Sequence, residues 1–314
     1  MELHPESAVN RANRLVFTRA PSALRYMLRA ALAWRVRQVP DAGLPPLAAE
    51  WRGCQPDDAT LALFERLTGL DSAVHVHPLL LHARGFRLHM TLLTHPEFPL
   101  PVWRMFQIHN TLVNHAPVPR GRPLTQEVRI LGARPVARGI EVDAASVHRM
   151  DGETVFETRT VFYLRGRFGC ARGAQTDRVP PALPARIVGD WSVERGDPFA
   201  FGRLTGDYNG IHVWDTYARV LGFPRALAHP QRSLARIALH SGSWHALQHF
   251  RAEVWLRGPV SYGRVHDLHL SDTSTSAYDF GITARGERRP SILGRYVELP
   301  GAAPHPWAGK PSAH

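Results

Sequence analysis

From Ser22 onward, Leu24, Met27, Leu28, Ala31 and Leu32 recur at helical spacing with Arg25 and Arg29 between them, so the pattern predicts an amphipathic helix in residues 22–35. Arg19, Arg25, Arg29 and Arg35 interrupt this stretch too often for a membrane span, and no small-residue cleavage site follows an apolar run. The helix is read as packed on a domain, with peripheral contact to a membrane surface as the alternative. A second helix is expected from Asp57-Asp58 through Leu61, Leu63, Phe64 and Leu67, and a third over 79–93. Strands are expected over 106–113, 121–131, 140–148 and 154–164, separated by turn signals at Pro117, 132–139 and Asp151-Gly152. Residues 170–186, with Val179-Pro180-Pro181 and Pro184, read as a linker. Beyond it the order recurs: irregular sequence over 191–215, helices over 215–221 and 231–239, then strands over 250–256, 266–271, 278–284 and 293–299.

Helices ahead of a run of strands, twice, indicate two α+β domains, each with a helix laid across a largely antiparallel sheet. The chain of 314 residues divides accordingly into an N-terminal extension (1–50), a first domain (51–169), the linker (170–186), a second domain (187–300) and a tail (301–314). Gly121-Arg122-Pro123-Leu124 and Gly258-Pro259-Val260 are read as equivalent turns of the two halves.

Composition narrows the class. Hydrophobic residues at 44% and charged residues at 21% are ordinary globular usage, which argues against disorder and against a channel. Cys54 and Cys170 form no C-x-x-C pair and no disulfide framework, which suits a reducing cytoplasm. The net charge of +11 is carried by arginine, Lys310 being the sole lysine, and favours anionic partners. The arginines are scattered, with no run longer than pairs such as Arg288-Arg289, so nucleic acid is not an expected partner.

No G-x-S-x-G, G-x-G-x-x-G, Walker A or H-E-x-x-H pattern is present, which removes the common nucleotide and protease chemistries. What remains is the loop Gly206-Asp207-Tyr208-Asn209-Gly210-Ile211-His212, which places three polar side chains ahead of a helix. Taken alone, Asp207 and Asn209 can make an ordinary turn and His212 can cap it or sit satisfied in the core. The wider stretch Phe201-Gly202-Arg203-Leu204-Thr205-Gly206-Asp207-Tyr208-Asn209-Gly210-Ile211-His212, followed by Ala218, Gly222-Phe223 and Ala228-His229, resembles the signature of the MaoC-like dehydratases, which include the (R)-specific enoyl-CoA hydratases.

The resemblance is strong over 199–231 and extends to the rest of the second half only as a pattern. It implies a double hot-dog fold, two tandem units in which an antiparallel sheet wraps a central helix. The first half, which lacks the G-D-x-N-x-x-H loop, is similar to the degenerate partner unit of the family. The implied partner is an acyl thioester of coenzyme A or acyl carrier protein, with no cofactor and no metal. Hydration of a 2-enoyl thioester to the (3R)-hydroxyacyl thioester, or the reverse dehydration, needs one group to take a proton from water and another to return one at C2. The resemblance assigns these roles to His212 and Asp207, with Asn209 orienting the loop. A monomer or homodimer is expected.

Two positions depart from the family pattern. Gly210 stands where the family has proline, which restores backbone freedom without removing a chemical group. Pro230, after His229, stands where the family has the glycine whose N–H stabilises charge on the thioester carbonyl. The N–H or side-chain amide of Gln231 is the expected substitute. The alternative is a catalytically weak or inactive protein that binds acyl thioesters or serves as an assembly partner. The first-half histidines His75, His77, His82, His89, His95, His109 and His115 lack the cysteines or spaced carboxylates of a metal site. Trp103, Phe106, Trp191, Phe199, Phe201 and Trp255 read as core, some of them lining an acyl tunnel.

Overall fold

The computed structural model describes residues 14–32, 43–169, 178–271 and 276–300. Arg35, Cys170, the first part of the expected linker and the expected tail lie outside the described residues. The chain begins with β1 (Arg14–Phe17), α1 (Ala23–Leu32), β2 (Ala48–Arg52), α2 (Asp58–Thr68) and α3 (Pro78–Leu93). A 3-10 turn at Val102–Arg104 leads into β3 (Met105–Asn114), β4 (Thr125–Val136), β5 (Gly139–Met150) and β6 (Glu153–Arg165). The second half has β7 (Ile187–Ser192), α4 (Ala200–Thr205), a 3-10 turn at Gly210–His212, α5 (Asp215–Val220) and α6 (Pro230–Ser241). It ends with β8 (Phe250–Leu256), β9 (Val265–Leu270), β10 (Ala277–Ala284) and β11 (Pro290–Glu298).

All eleven described strands join one sheet in the order β1-β2-β4-β5-β6-β3-β8-β11-β10-β9-β7. Leaving β1 aside, the two sides have the same topology: β2-β4-β5-β6-β3 mirrors β7-β9-β10-β11-β8. The halves join where β3 and β8 pair antiparallel, from His109↔Trp255 to Asn114↔Phe250. Each half lays one long helix on the concave face: α3 packs on β2, β4, β5 and β6, and α6 on β7 and on α3. This is a double hot-dog fold. Both helices start with proline, where the missing N–H would have had no helical partner. Leu80, Ala83, Leu88 and Leu92 of α3 and Leu234, Ala235 and Ile237 of α6 are fully buried and form the centre of the core.

Register confirms the internal duplication and corrects the turns read as equivalent. Val76 N–H bonds the Val118 carbonyl, and Ala228 N–H bonds that of Val260, both at 2.8 Å. The matching turns are therefore Pro117-Val118-Pro119-Arg120-Gly121-Arg122 and Pro259-Val260-Ser261-Tyr262-Gly263-Arg264, with Gly121 (φ 77) opposite Gly263 (φ 66). The same alignment pairs His77-Pro78 with His229-Pro230 and Phe64-Glu65-Arg66-Leu67-Thr68-Gly69 with Phe201-Gly202-Arg203-Leu204-Thr205-Gly206. Both F-x-R-L-T-G segments end a helix on a left-handed glycine, Gly69 at φ 77 and Gly206 at φ 79, with the threonine hydroxyl donating to the phenylalanine carbonyl.

Several elements depart from the expected pattern for identifiable reasons. The turn expected over 132–139 is strand: β4 passes Gly132 through a register shift after Ile130 and pairs with β5 to Val136↔Gly139. A bulge bends a strand without ending it, and a glycine in its centre reads as a break. β7, which starts just after the expected linker and runs into the stretch expected to be irregular, and α4, inside that stretch, are not predicted by the pattern, because β7 is an edge strand burying only Trp191 and α4 is too short to show a period. The extension supplies β1, parallel to β2, in addition to its helix. In α1 the leucine stripe does not face the core: Tyr26 and Ala30 are buried, while Leu24, Leu28 and Leu32 are exposed at 70%, 57% and 80%. Among the described residues no helix is long and apolar enough to cross a membrane.

Five histidines of the first half lie in its core, while His75, His95 and His115 are partly exposed. His77, His82, His89 and His148 are buried, and His82, His89 and His148 each keep a ring nitrogen without a hydrogen-bond partner among the described residues. Burial drives their pKa values down from 6.5, to about 4 for His82 and about 3 for His77, His89 and His148. As pH falls below 6.5 the unfolded chain takes up protons that these folded imidazoles refuse, so stability is fully present above that value and is lost towards the folded pKa values. Each contributes at most about 1.4 kcal/mol per pH unit in that window. The urea midpoint is expected to drop steeply between pH 7 and 5, and less steeply in His89→Phe; a midpoint constant over that range would contradict this account.

Candidate active site

The predicted loop is built by short-range bonds that follow directly from its side chains. Gly206 ends α4 in the left-handed region, and Asp207 N–H then bonds the Thr205 hydroxyl at 2.9 Å. The Asp207 carboxylate accepts Asn209 N–H at 3.0 Å, and the Asn209 side chain accepts Ile211 N–H at 3.2 Å. These two Asx turns explain the spacing Asp-x-Asn: each side chain organises the backbone two residues on. Asn209 also caps the 3-10 turn that carries His212.

His212 is held from its other side. Its Nδ1–H donates to the Leu227 carbonyl at 3.0 Å, and Leu227 N–H returns a bond to the Ile211 carbonyl at 3.0 Å. This tautomer leaves the Nε2 lone pair facing the Asp207 carboxylate, 3.5 Å away, longer than a direct hydrogen bond. Burial pushes the Asp207 carboxyl up, but the positive charge of His212 when that ring is protonated, with the Asn209 N–H, outweighs it and holds the group below the ordinary carboxylate value. Asp215 braces the segment by accepting Ala226 N–H at 2.8 Å and an arginine bond from Arg195.

His229 lies deeper. Its ring is stacked on His212 with centroids 3.8 Å apart and on Phe201 at 4.9 Å, and its Nε2–H donates to the Asp207 carbonyl at 3.2 Å. Burial first, then the neighbouring His212, lowers its pKa to about 3, so it is a neutral spacer that fixes the ring above it. Asp207, His212 and His229 present ligand atoms within 4.8 Å of one another, the one such group among the described residues. Their geometry suits a metal poorly, because His229 Nε2 is engaged by the Asp207 carbonyl and His212 Nδ1 by that of Leu227.

At the start of α6, Pro230 offers no N–H, and His229 makes no side-chain cap. The duplicate half shows what differs: there His77 Nδ1 accepts the N–H of Leu79, at 3.1 Å. Gln231 occupies the corresponding place, and its N–H has no hydrogen-bond partner among the described residues, so it opens at the helix N-terminus beside the cavity. Ser233, two residues further, is a lining residue that sequence reasoning passed over, with a buried hydroxyl unpartnered among the described residues; its only sequence signal is a serine on the apolar face of a helix. Gly210 has a steric reason: a Cβ there would sit 2.9 Å from Trp214 and 3.0 Å from Tyr217, so these rings fill the space of the family's proline.

These groups face a cavity of about 790 Å³ between the halves. One wall holds Asp207, His212, Pro230 and Gln231; the other is apolar, with Met27, Phe86, Met90, Leu93, Val102, Trp103, Phe106 and Phe162. All the predicted site residues except His229 line it, and His229 stands directly behind His212. Of the expected aromatics, Trp103 and Phe106 line the cavity, whereas Trp191 and Phe201 are core. The first-half counterpart cannot supply the pair: Leu70 stands where Asp207 does, bonding Thr68 as Asp207 bonds Thr205, and the connection from Gly69 to His77 is too short for an Asn-to-His segment.

Comparison with known proteins agrees with this geometry. No family model matches the chain. The chain is 25% identical over 221 residues to 3-hydroxyacyl-thioester dehydratase X of Mycobacterium tuberculosis, covering 69% of this chain and 78% of that protein. It is 25% identical over 162 residues to the peroxisomal enoyl-CoA hydratase 2 of Arabidopsis thaliana, a match over 46% of this chain that spans 47% of the plant protein's length. Its fold is that of the crystal structure of HtdX from Mycobacterium tuberculosis, with a TM-score of 0.67 at 18% identity over 80% of this chain and all of that one. A MaoC-like dehydratase from Phytophthora capsici gives a TM-score of 0.67 at 15% identity, over 82% of this chain and 97% of that one. With the duplicated topology and the loop from Phe201 to His229, these likenesses support the resemblance of the chain to the MaoC-like hydratases and dehydratases.

Proposed function

We propose that the protein is a hydro-lyase that adds water across 2-enoyl thioesters, or removes it from 3-hydroxyacyl thioesters, with Asp207 and His212 as the acid/base pair. The observation that carries this reading is the facing of the Asp207 carboxylate and His212 Nε2 across 3.5 Å at the wall of a largely apolar cavity. Two groups at that separation can share one water. In hydration the ionised Asp207 holds the water while His212 takes one of its protons as the oxygen bonds C3; that proton passes from His212 to Asp207 and is returned to C2, so the H and OH of one water add across the double bond, and dehydration reverses the sequence. Negative charge gathering on the thioester oxygen is met by Gln231 N–H at the α6 N-terminus, offsetting the donor that Pro230 lacks. The (3R) configuration of the product is carried over from the family resemblance.

The chain's halves take unequal parts in this proposal: 187–300 supplies the catalytic loop, and 51–169 is the degenerate partner that contributes the apolar wall. The thioester's carrier, coenzyme A or acyl carrier protein, lies towards Arg257, where the main cavity adjoins a second one of about 240 Å³ that also contacts Arg289, and where Arg178 is paired with Glu141 and Asp143. A second reading, a protein that binds acyl thioesters without turning them over, draws on Pro230 alone. Peripheral membrane contact is a separate proposal, supported by the exposed Leu24, Leu28 and Leu32 in a segment, 14–32, that has four arginines and no acidic residue.

Loss of enoyl absorbance with crotonyl-CoA and longer enoyl-CoA substrates tests the reaction. Asp207→Asn and His212→Gln are expected to reduce kcat by about 10² or more, with acyl-CoA affinity nearly unchanged. Equal turnover by wild type and Asp207→Asn would remove the pair from the mechanism, and binding without turnover across the panel would favour the second reading. For the membrane, cosedimentation with anionic phosphatidylglycerol vesicles is expected to fall on replacing Leu24, Leu28 and Leu32 with serine; unchanged cosedimentation would refute the contact.

A further inference from the structure

Helix α1 lies outside both repeated units, yet it forms part of the cavity. Met27, Ala30 and Ala31 line the apolar end together with Met90 and Leu93 of α3 and Val102 of the following turn. Ala30 is buried, Met27 is partly buried and Ala31 is exposed, so Ala31 sits at the rim. The helix is also tied to the loop of the proposed acid/base pair. The Tyr26 hydroxyl, buried, donates to the Gly206 carbonyl at 2.5 Å, one residue before Asp207. The fit there is close: a Cβ on Gly206 would lie 2.3 Å from the Tyr26 oxygen and 2.7 Å from Arg87. One buried bond thus sets the position of α1 relative to the loop, and two alanines hold its inner surface back from the cavity.

We propose that α1 is the acyl-length gauge of this site: the wall against which the chain of the acyl thioester lies, with the side chains at 27, 30 and 31 setting how long or bulky a chain is accepted. The inference rests on the acyl-thioester reading of the cavity. The ligand class follows from the lining, since no charged group of α1 faces the cavity, whose α1 end is aliphatic and aromatic. A volume near 790 Å³ is at the upper end of the ~300–1,000 Å³ usual for ligand cavities and leaves ample room beyond a four-carbon acyl group. Burying more methylenes against this wall should strengthen binding step by step.

Calorimetric titration of the full chain with four-, eight-, twelve- and sixteen-carbon saturated acyl-CoA tests this without requiring turnover. Affinity of the wild type is expected to rise with chain length. Ala31→Trp should weaken the two longest ligands by about tenfold or more while the four-carbon ligand stays within about twofold. Met27→Ala should shift the preference towards bulkier chains, and Leu28→Ala, on the exposed face, should change nothing. Because Ala31 is at the rim, its replacement leaves the core intact, and a thermal melt checks folding; if it fails to fold, Met27→Ala against Leu28→Ala decides. An unmoved chain-length profile in folded variants overturns the gauge. A profile that moves in a protein with no hydratase turnover leaves the gauge standing and removes the catalytic reading, whereas absence of any acyl-CoA binding overturns both.

Discussion

The antiparallel pairing of β3 with β8 is the constraint on which the molecule depends. Each half is a curved sheet with one apolar face, and β3 and β8 would each be an open edge if the halves stood apart. Joining them removes both edges, makes one continuous sheet, and sets α3 and α6 side by side on its concave face. The cavity is a product of that junction. Its lining comes from both halves, so neither unit alone contains it.

Within this frame the duplication explains how one half holds the Asp-to-His loop and the other does not. F-x-R-L-T-G and His-Pro persist in both, because they are structural: a helix end on a left-handed glycine, and an imidazole packed on a phenylalanine at the entry to the long helix. Between these two fixed points the second half inserts the Asp-to-His loop and the short α5, whereas the first half crosses directly. The imidazole has also changed its bonds. His77 caps its own helix, while His229 turns to the Asp207 carbonyl and leaves the N–H of Gln231 at the helix end unpaired among the described residues.

Charge is distributed to match. Much of the arginine excess is spent on neighbouring carboxylates, as where Arg134, Arg159 and Arg178 converge on Asp143 and Glu141 along the first-half sheet. The carboxylate of Asp207 instead faces imidazole and backbone N–H, and its low pKa keeps it ionised without an arginine to block it. The buried histidines of the first half stay neutral because desolvation outweighs everything near them. An abundance of histidine that suggests metal in one dimension is a packing feature in three.

What the sequence determined by itself was local. Helical and strand periods located the long elements, since a buried face must repeat at 3.6 or 2 residues, and Asp-x-Asn dictated its own turns through side chains that bond two residues on. Elements without a period were not legible: β7 shows one face too little buried, α4 is a single turn and a half, and Gly132 reads as a break where pairing carries the strand through. The internal repeat was present in the letters, but its short matches are separated by unequal insertions, and only β-register aligned them. The direction in which α1 faces was decided by tertiary structure. Its leucines carry the stronger apolar pattern, yet Tyr26 turns inward because it meets the Gly206 carbonyl, a partner 180 residues away. Likewise His229 and Leu227 join Asp207 and His212 through bonds that no sequence spacing encodes, because they depend on where a loop and a helix end come to rest against each other.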